Sequence, residues 1–367
     1  MDKVLLKYIE GIPAISSDAR DAAKARLDNL IKPPGSLGAL EGIAIKLAGV
    51  TGSVKNDFQK KCVLVMCSDN GVVEEGVASA PQEITYAMAG NFIKGLTGVA
   101  VLAKNSGADI KVYDMGINSG EKIPGVIDRK VRKSTNNIKS GPAMERHEAV
   151  QGILAGINAV RDAKDEGYEL IGAGEMGIGN TTTTTAILSA LSGISAEEIT
   201  GKGAGLNSQA YAEKIAVIDA AVKVNAPDVK DPVDLITKLG GFDIAAMAGA
   251  FLGAAYYRLP IVVDGYISIA SAYLAAMMTP KVKDYLFLSH VSEEPGYLTY
   301  AKLLELEAPL NLNMRLGEGS GCPLMFDVIK SACAVMNDMA TFDEALAGSG
   351  EEYLNNAKEE GPDGNAG

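Results

Sequence analysis

Glu318 is the single carboxylate in the run Asn313-Met-Arg-Leu-Gly-Glu-Gly-Ser-Gly321, surrounded by Gly317, Gly319, Ser320 and Gly321. A carboxyl group among small residues can be approached closely by backbone and substrate. Apolar surroundings raise its pKa toward the range of a general base. The same loop also serves as a plain turn into the apolar helical pattern of residues 322–336, with Glu318 near that helix's first turn.

A second glycine run, Gly172-Ala-Gly-Glu-Met-Gly-Ile-Gly-Asn180, carries Glu175 and leads into Thr181 and Thr182. It has the form G-x-G-x-x-G after a strand and before a helix, with Glu197 about 20 residues on, which is the fingerprint of an NAD-dependent oxidoreductase. Two features weigh against that reading. Glu175 occupies the place where a pyrophosphate must come close, and the helix starts late, at Asn180-Thr181-Thr182. Hydroxyls and free amides at a helix N-terminus suit one terminal phosphate better, or act simply as caps. A third glycine loop, Gly201-Lys-Gly-Ala-Gly-Leu206, precedes the helix bearing Lys214. That lysine is either a point charge for a phosphate or carboxylate or one more solvated side chain. His147 and His290 are the only histidines, and neither has a His or Cys at ligand spacing, so no metal site is expected. No nucleophile motif is present either. The chemistry available is that of carboxylates, backbone amides and lysines.

The elements that must position these groups alternate. Helical patterns over residues 19–31 and 37–50 flank the stop at Pro33-Pro34-Gly35-Ser36. The continuous apolar run at residues 62–67 reads as a strand buried on both faces, and residues 110–115, 168–171, 261–264 and 285–288 bring the count to at least five strands. Between them lie helical patterns at residues 82–104, 149–164, 180–191, 211–224 and 243–256. The alternation predicts an α/β fold, a parallel sheet with helices on both faces. Ligands of such sheets bind at the carboxyl ends of the strands. There the chain places Asp69-Asn70-Gly71, Asp114-Met-Gly116, the 172–180 run, Asp264-Gly265 and Ser289-His290.

Composition narrows the classes. A chain of 367 residues with 47% hydrophobic and 22% charged side chains buries a large core. A net charge of −12 without a basic stripe argues against a nucleic-acid partner. The N-terminus lacks an apolar leader and no uninterrupted apolar run reaches the ~18 residues of a membrane span, so a cytoplasmic protein with no membrane partner is expected. Four cysteines in this length read as small core residues rather than a disulfide framework. Residues 351–367, acidic and glycine-containing, read as a flexible tail.

Taken in order, Lys32-Pro-Pro-Gly-Ser-Leu-Gly38, Asp69-Asn-Gly-Val72 with Glu75-Gly-Val77, Gly174-Glu-Met-Gly-Ile-Gly-Asn-Thr-Thr182, Gly240-Gly-Phe-Asp243, Val263-Asp-Gly-Tyr266, Ser289-His290 and Arg315-Leu-Gly-Glu-Gly-Ser-Gly321 resemble one family. It is that of the nicotinate-nucleotide–dimethylbenzimidazole phosphoribosyltransferases of cobamide lower-ligand assembly. The resemblance implies a Rossmann-like large domain (residues 51–319) and a small helical domain built from both chain ends (1–50 and 320–350). It implies a dimer and no cofactor. The implied reaction moves phosphoribose from nicotinate mononucleotide to an aromatic base, giving an α-linked nucleotide and free nicotinate. By position, Glu318 resembles the general base and Glu175 lies beside the site. Gly177, Asn180, Thr181 and Thr182 face the ribose phosphate, and Lys214, Asp264, Ser292, Arg315 and Gly317 line the rest.

The chain departs from the family pattern at Asn70, where His is common, and at Ala80 and Met88, where benzimidazole-using members can carry polar side chains. With Met176, these imply a more apolar acceptor pocket, which discriminates less for an imidazole nitrogen. A family branch activates phenol and p-cresol as a pair of unlike homologous chains. The expected acceptor is therefore dimethylbenzimidazole or a phenol, in a homodimer or a heterodimer with a homologous chain. Two other readings stand beside it: the NAD-dependent oxidoreductase, and an idle homologous subunit supporting an active partner.

Overall fold

The computed structural model describes residues 2–201 and 205–346. The expected tail 351–367, the end of the expected small domain at 347–350 and the middle of the third glycine loop lie outside the described residues. The chain divides into two compact units, one of residues 1–13 and 60–326, the other of residues 14–59 and 327–367.

The larger unit is built on a six-stranded, all-parallel sheet of order β3-β2-β1-β4-β5-β6. Its strands are β1 (Lys61–Ser68), β2 (Asp109–Gly116), β3 (Ile127–Asp128), β4 (Leu170–Met176), β5 (Ile261–Val263) and β6 (Leu286–Leu288). Every residue of β1 after Lys61 is buried, as an apolar run covered on both faces requires. The strand order reverses between β1 and β4, which opens a crevice at their carboxyl ends. A separate parallel pair, β7 (His290–Ser292) and β8 (Leu310–Met314), leads into the Glu318 loop.

Two expectations about elements change. Residues 82–104 are not one helix but two, Glu83–Ile93 and Gly98–Ser106. Gly95 takes a left-handed φ of 75° and ends the first. Thr97 starts the second, its hydroxyl accepting from the Ala100 N–H at 3.4 Å. By composition and length alone, Glu83–Ser106 is apolar enough to cross a membrane, but this break makes it no continuous span. Strand β4 also runs on through Glu175 and Met176, so Gly172 and Gly174 are strand residues, not a loop beyond the strand. A dinucleotide fingerprint needs those glycines in the strand-to-helix turn, and the oxidoreductase reading loses its motif.

The helices Arg146–Asp165 and Phe242–Tyr257 cross at glycines, and the second is buried from Phe242 to Ala255. A Cβ on Gly156 would run into the Ala246 carbonyl and stand 2.9 Å from the Ala250 nitrogen. The first helix, Lys3–Gly11, belongs to the larger unit and not to the small domain in which the resemblance places it. The Tyr8 and Tyr256 rings meet at 4.9 Å, and Lys281 and Tyr285 donate to the Ile12 and Pro13 carbonyls at 2.9 and 3.0 Å. Residues 320–326 also belong to the larger unit, where the Gly321 N–H donates to Asp264 after β5 and the Cys322 thiol to carbonyls of β4 and β5.

In the smaller unit, helices Ser17–Asp28 and Ala39–Thr51 pack together, and Arg26 donates to the Met336 and Met339 carbonyls. The Lys32–Gly38 turn is closed by Glu41, which pairs with Lys32 at 2.8 Å and accepts from the Leu37 N–H at 3.0 Å.

Gly156→Ala is expected to force the two core helices apart and to cost about 1–3 kcal/mol. Urea unfolding followed by circular dichroism checks this, and an unchanged midpoint would mean that the helices have room to give.

Candidate active site

At the carboxyl ends of β4 and β5 lies a cavity of about 630 Å³. Its walls include Glu318 with Gly317, Leu316 and Arg315 from the loop after β8, and Glu175 to Thr181 from the end of β4.

The base candidate is held by backbone. Gly317, Glu318 and Gly319 all have left-handed φ, at 83°, 65° and 89°. Glycine adopts this freely, whereas Glu318 does so only because its surroundings hold it. Asp264, following β5, accepts from the Gly319 and Gly321 N–H groups at 2.9 and 2.7 Å. The loop then lies flat on β4. A Cβ on Gly174 would collide with the Glu318 carbonyl and stand 2.6 Å from the Gly319 Cα, and one on Gly172 would stand 2.5 Å from the Cys322 Cβ. Gly174 is thus a site of close backbone approach, and Gly172 makes room for the Cys322 side chain.

The Glu318 carboxylate sits over the start of the Gly98–Ser106 helix, accepting from the Val99 N–H at 3.3 Å. Burial raises its pKa, the Val99 and Gly98 amides oppose the rise, and the charge of Asp264 adds to it. The result is a carboxylate less solvated, and so more basic, than an ordinary glutamate.

Glu175 lies behind it. One oxygen accepts from the Glu318 N–H at 3.4 Å and the other from Asn180 Nδ2. Asn180 also donates to Asp243 Oδ2 at 3.1 Å. Burial first, then the Asp243 charge, push the Glu175 pKa up to about 8, so it is largely protonated at neutral pH. Asp243 and Asp69 are each pushed up to about 6, again by burial foremost.

Lys214 reaches the cavity from the Ser208–Asn225 helix, 1% exposed. Its Nζ donates to Thr181 Oγ1 at 2.9 Å and to the Gly201 carbonyl at 3.4 Å, and burial lowers its pKa to about 8. Beside it the Asn180–Ser192 helix begins with Gly179 as its cap, without a side-chain capping bond.

Of the residues anticipated from sequence, Glu175, Gly177, Asn180, Thr181, Lys214, Ser292, Arg315, Gly317 and Glu318 line this one cavity, together with Ala80, Met88 and Met176. Ile84, Ile178 and Leu316 extend the apolar wall. Two do not line it. Asp264 is spent behind the wall on the Gly319 and Gly321 amides, and Thr182 is fully buried on the inner side of its helix. Asn70 is buried beneath the cavity rather than on it. Tyr266, His290 and Glu294 line the cavity without having been singled out as ligand residues. Among the described residues, no group of three or more His, Cys, Asp or Glu side chains is placed to hold a metal ion.

Glu175 predicts a pH dependence. The folded protein holds its proton up to about 8, whereas an unfolded glutamate loses it near the ordinary value of 4.5. Between these values the folded state binds more protons, so the contribution of Glu175 to stability falls as pH rises and levels off above about 8. Glu175→Gln is expected to flatten this part of the profile. Denaturant unfolding from pH 5 to about 8.5 reads it out, and an identical slope in the variant would rule out a raised pKa.

Comparison with known proteins places the chain in a family. The family described as phosphoribosyltransferase matches residues 12–346. The nicotinate-nucleotide–dimethylbenzimidazole phosphoribosyltransferase of Clostridium perfringens is 51% identical over 97% of this chain and 98% of its own length. That of Clostridium acetobutylicum is 46% identical over 92% and 96%. The crystal structure of the enzyme of that name from Thermus thermophilus superposes with a TM-score of 0.85 at 37% identity, covering 90% of this chain and 99% of the other. The chain belongs to the nicotinate-nucleotide–dimethylbenzimidazole phosphoribosyltransferase family.

Proposed function

We propose that the chain transfers phosphoribose from nicotinate mononucleotide to 5,6-dimethylbenzimidazole, releasing nicotinate and leaving an α-linked nucleotide for cobamide lower-ligand assembly. The observation that carries this reading is that one cavity combines a backbone-held, partly desolvated carboxylate, Glu318, with the Lys214–Thr181 pair at a helix N-terminus.

Each half of the cavity has a task. Lys214, Thr181, Gly177 and Asn180 receive the phosphate, which suits a cation beside the positive end of a helix. The apolar wall of Ala80, Ile84, Met88, Met176 and Leu316 takes the flat aromatic acceptor. Glu318 removes the N–H proton of the benzimidazole as its other nitrogen bonds to the anomeric carbon. The carbon–nitrogen bond to the pyridinium breaks and its electron pair neutralises the ring nitrogen, so the leaving group needs no proton. Alignment and one base then suffice. Glu175, protonated, adds no second negative charge beside Glu318. Ser292 and Arg315 complete the lining. The working form in this reading is a dimer in the cytoplasm.

The apolar acceptor wall favours a second reading in which a phenol takes the benzimidazole's place, and parallel assays separate the two. With nicotinate mononucleotide, the purified chain is expected to release nicotinate faster with dimethylbenzimidazole than with phenol. The reverse ratio would assign the phenol class, and silence with both would sink the transfer reaction for the chain alone. Glu318→Gln is expected to lower kcat by about 10²–10⁴-fold with binding of nicotinate mononucleotide nearly unchanged. Retained turnover with weakened binding would remove Glu318 from the role of base.

A further inference from the structure

Glu294 has no part in the chemistry above. It follows β7, precedes Pro295-Gly296, lines the cavity and is 9% exposed. One of its carboxylate oxygens, Oε2, has no hydrogen-bond partner among the described residues. Its backbone is pinned: the N–H donates to Ser292 Oγ at 3.4 Å, and the carbonyl accepts from the Tyr297 N–H at 3.0 Å. The carboxyl group itself rests on Gly201, where a Cβ would stand 2.8 Å from Glu294 Cδ. Lys214 and Glu294 feel one another's charge, yet the hydrogen bonds of Lys214 go to Thr181 and Gly201. Oε2 is closed off against Gly201, so it is the rest of the carboxylate, on the cavity wall beside the cation that receives the phosphate, that a bound molecule meets.

An ionised carboxylate only accepts hydrogen bonds, so whatever fills this place must donate. On a nicotinate mononucleotide the phosphate and the ring carboxylate are acceptors, and the pyridinium nitrogen carries no proton. The donors left are the 2′ and 3′ hydroxyls of the ribose. The one N–H of the acceptor base goes to Glu318. We propose that Glu294 receives a ribose hydroxyl of the phosphoribosyl donor and is the residue by which the site selects ribose over deoxyribose. The inference rests on the transfer reaction proposed above.

The test compares nicotinate mononucleotide with its 2′-deoxy and 3′-deoxy analogues, by calorimetric binding and by nicotinate release. It uses the full chain, Glu294→Ala and Glu294→Gln. The unaltered chain is expected to prefer the ribose form over one of the two analogues by roughly 10²-fold or more in kcat/KM, because a missing hydroxyl leaves the cavity-wall carboxylate without its donor. Glu294→Ala is expected to cut this preference by about 10-fold or more. Glu294→Gln, which keeps the shape and one acceptor oxygen, is expected to retain part of it. Inorganic phosphate should bind both variants at least as tightly as it binds the unaltered chain, which also reports that they are folded. If ribose and deoxyribose forms weaken by one common factor, alike in Ala and Gln, Glu294 is only a counter-charge to Lys214 and the inference is overturned. Indifference of the unaltered chain to both hydroxyls overturns it as well. Absence of nicotinate release by the unaltered chain would count against the transfer reaction instead, and the binding comparison would still decide the role of Glu294.

Discussion

The contact on which the site depends is backbone against backbone, where the loop 317–321 lies on strand β4. Gly174 removes the side chain that would hold the loop away, Gly172 makes room for Cys322 just after it, and Asp264 draws the loop down by accepting from two of its amides. Glu318 is thereby kept in a left-handed conformation that costs a non-glycine residue of order 1–3 kcal/mol. The surrounding bonds repay that cost and aim the carboxylate. A base aimed by main chain loses less rotamer freedom on meeting its substrate than one on a free side chain.

The second constraint is electrostatic. Glu175, Asp243, Asp264 and Asp69 are buried at the same end of the sheet, and burial pushes each toward its neutral form. Amides from Asn180, Gly319, Gly321 and Asn118 compensate part of that. The cluster therefore carries less negative charge than its residue count suggests, which matters beside a site proposed to take a phosphate and a second carboxylate.

Much of the fold was legible in the chain. The continuous apolar run 62–67 reads as a strand covered on both faces, and the alternation of strand and helical patterns pointed to a parallel sheet. The extent of β4 was not legible, because glycines read as a loop unless it is known that another backbone must cross them. The break at residues 94–97 left a signal that apolar periodicity masked: Gly95 as a helix stop and Thr97 as the next cap. For the site, the glycine-flanked Glu318 and the Asn180–Thr181 helix start could be read from local order. Asp264 could not be told from a lining residue, since its role is set by amides more than fifty positions away. Glu294 looks no different from its neighbour Glu293 in sequence, and only the packing against Gly201 separates them.

The interruption between Ile93 and Gly98 has a consequence for how such a site can diversify. The earlier helix contributes Ile84 and Met88 to the acceptor wall, while the later one presents its first amides to Glu318. One apolar stretch is thus split into a part that chooses the acceptor and a part that supports the reaction, hinged by a glycine and a threonine. Substitutions along the first part can reshape the aromatic slot for a new partner molecule without disturbing the amides that hold the base. A chain with one unbroken helix here would have no such independence, and each change of acceptor would carry a penalty in chemistry.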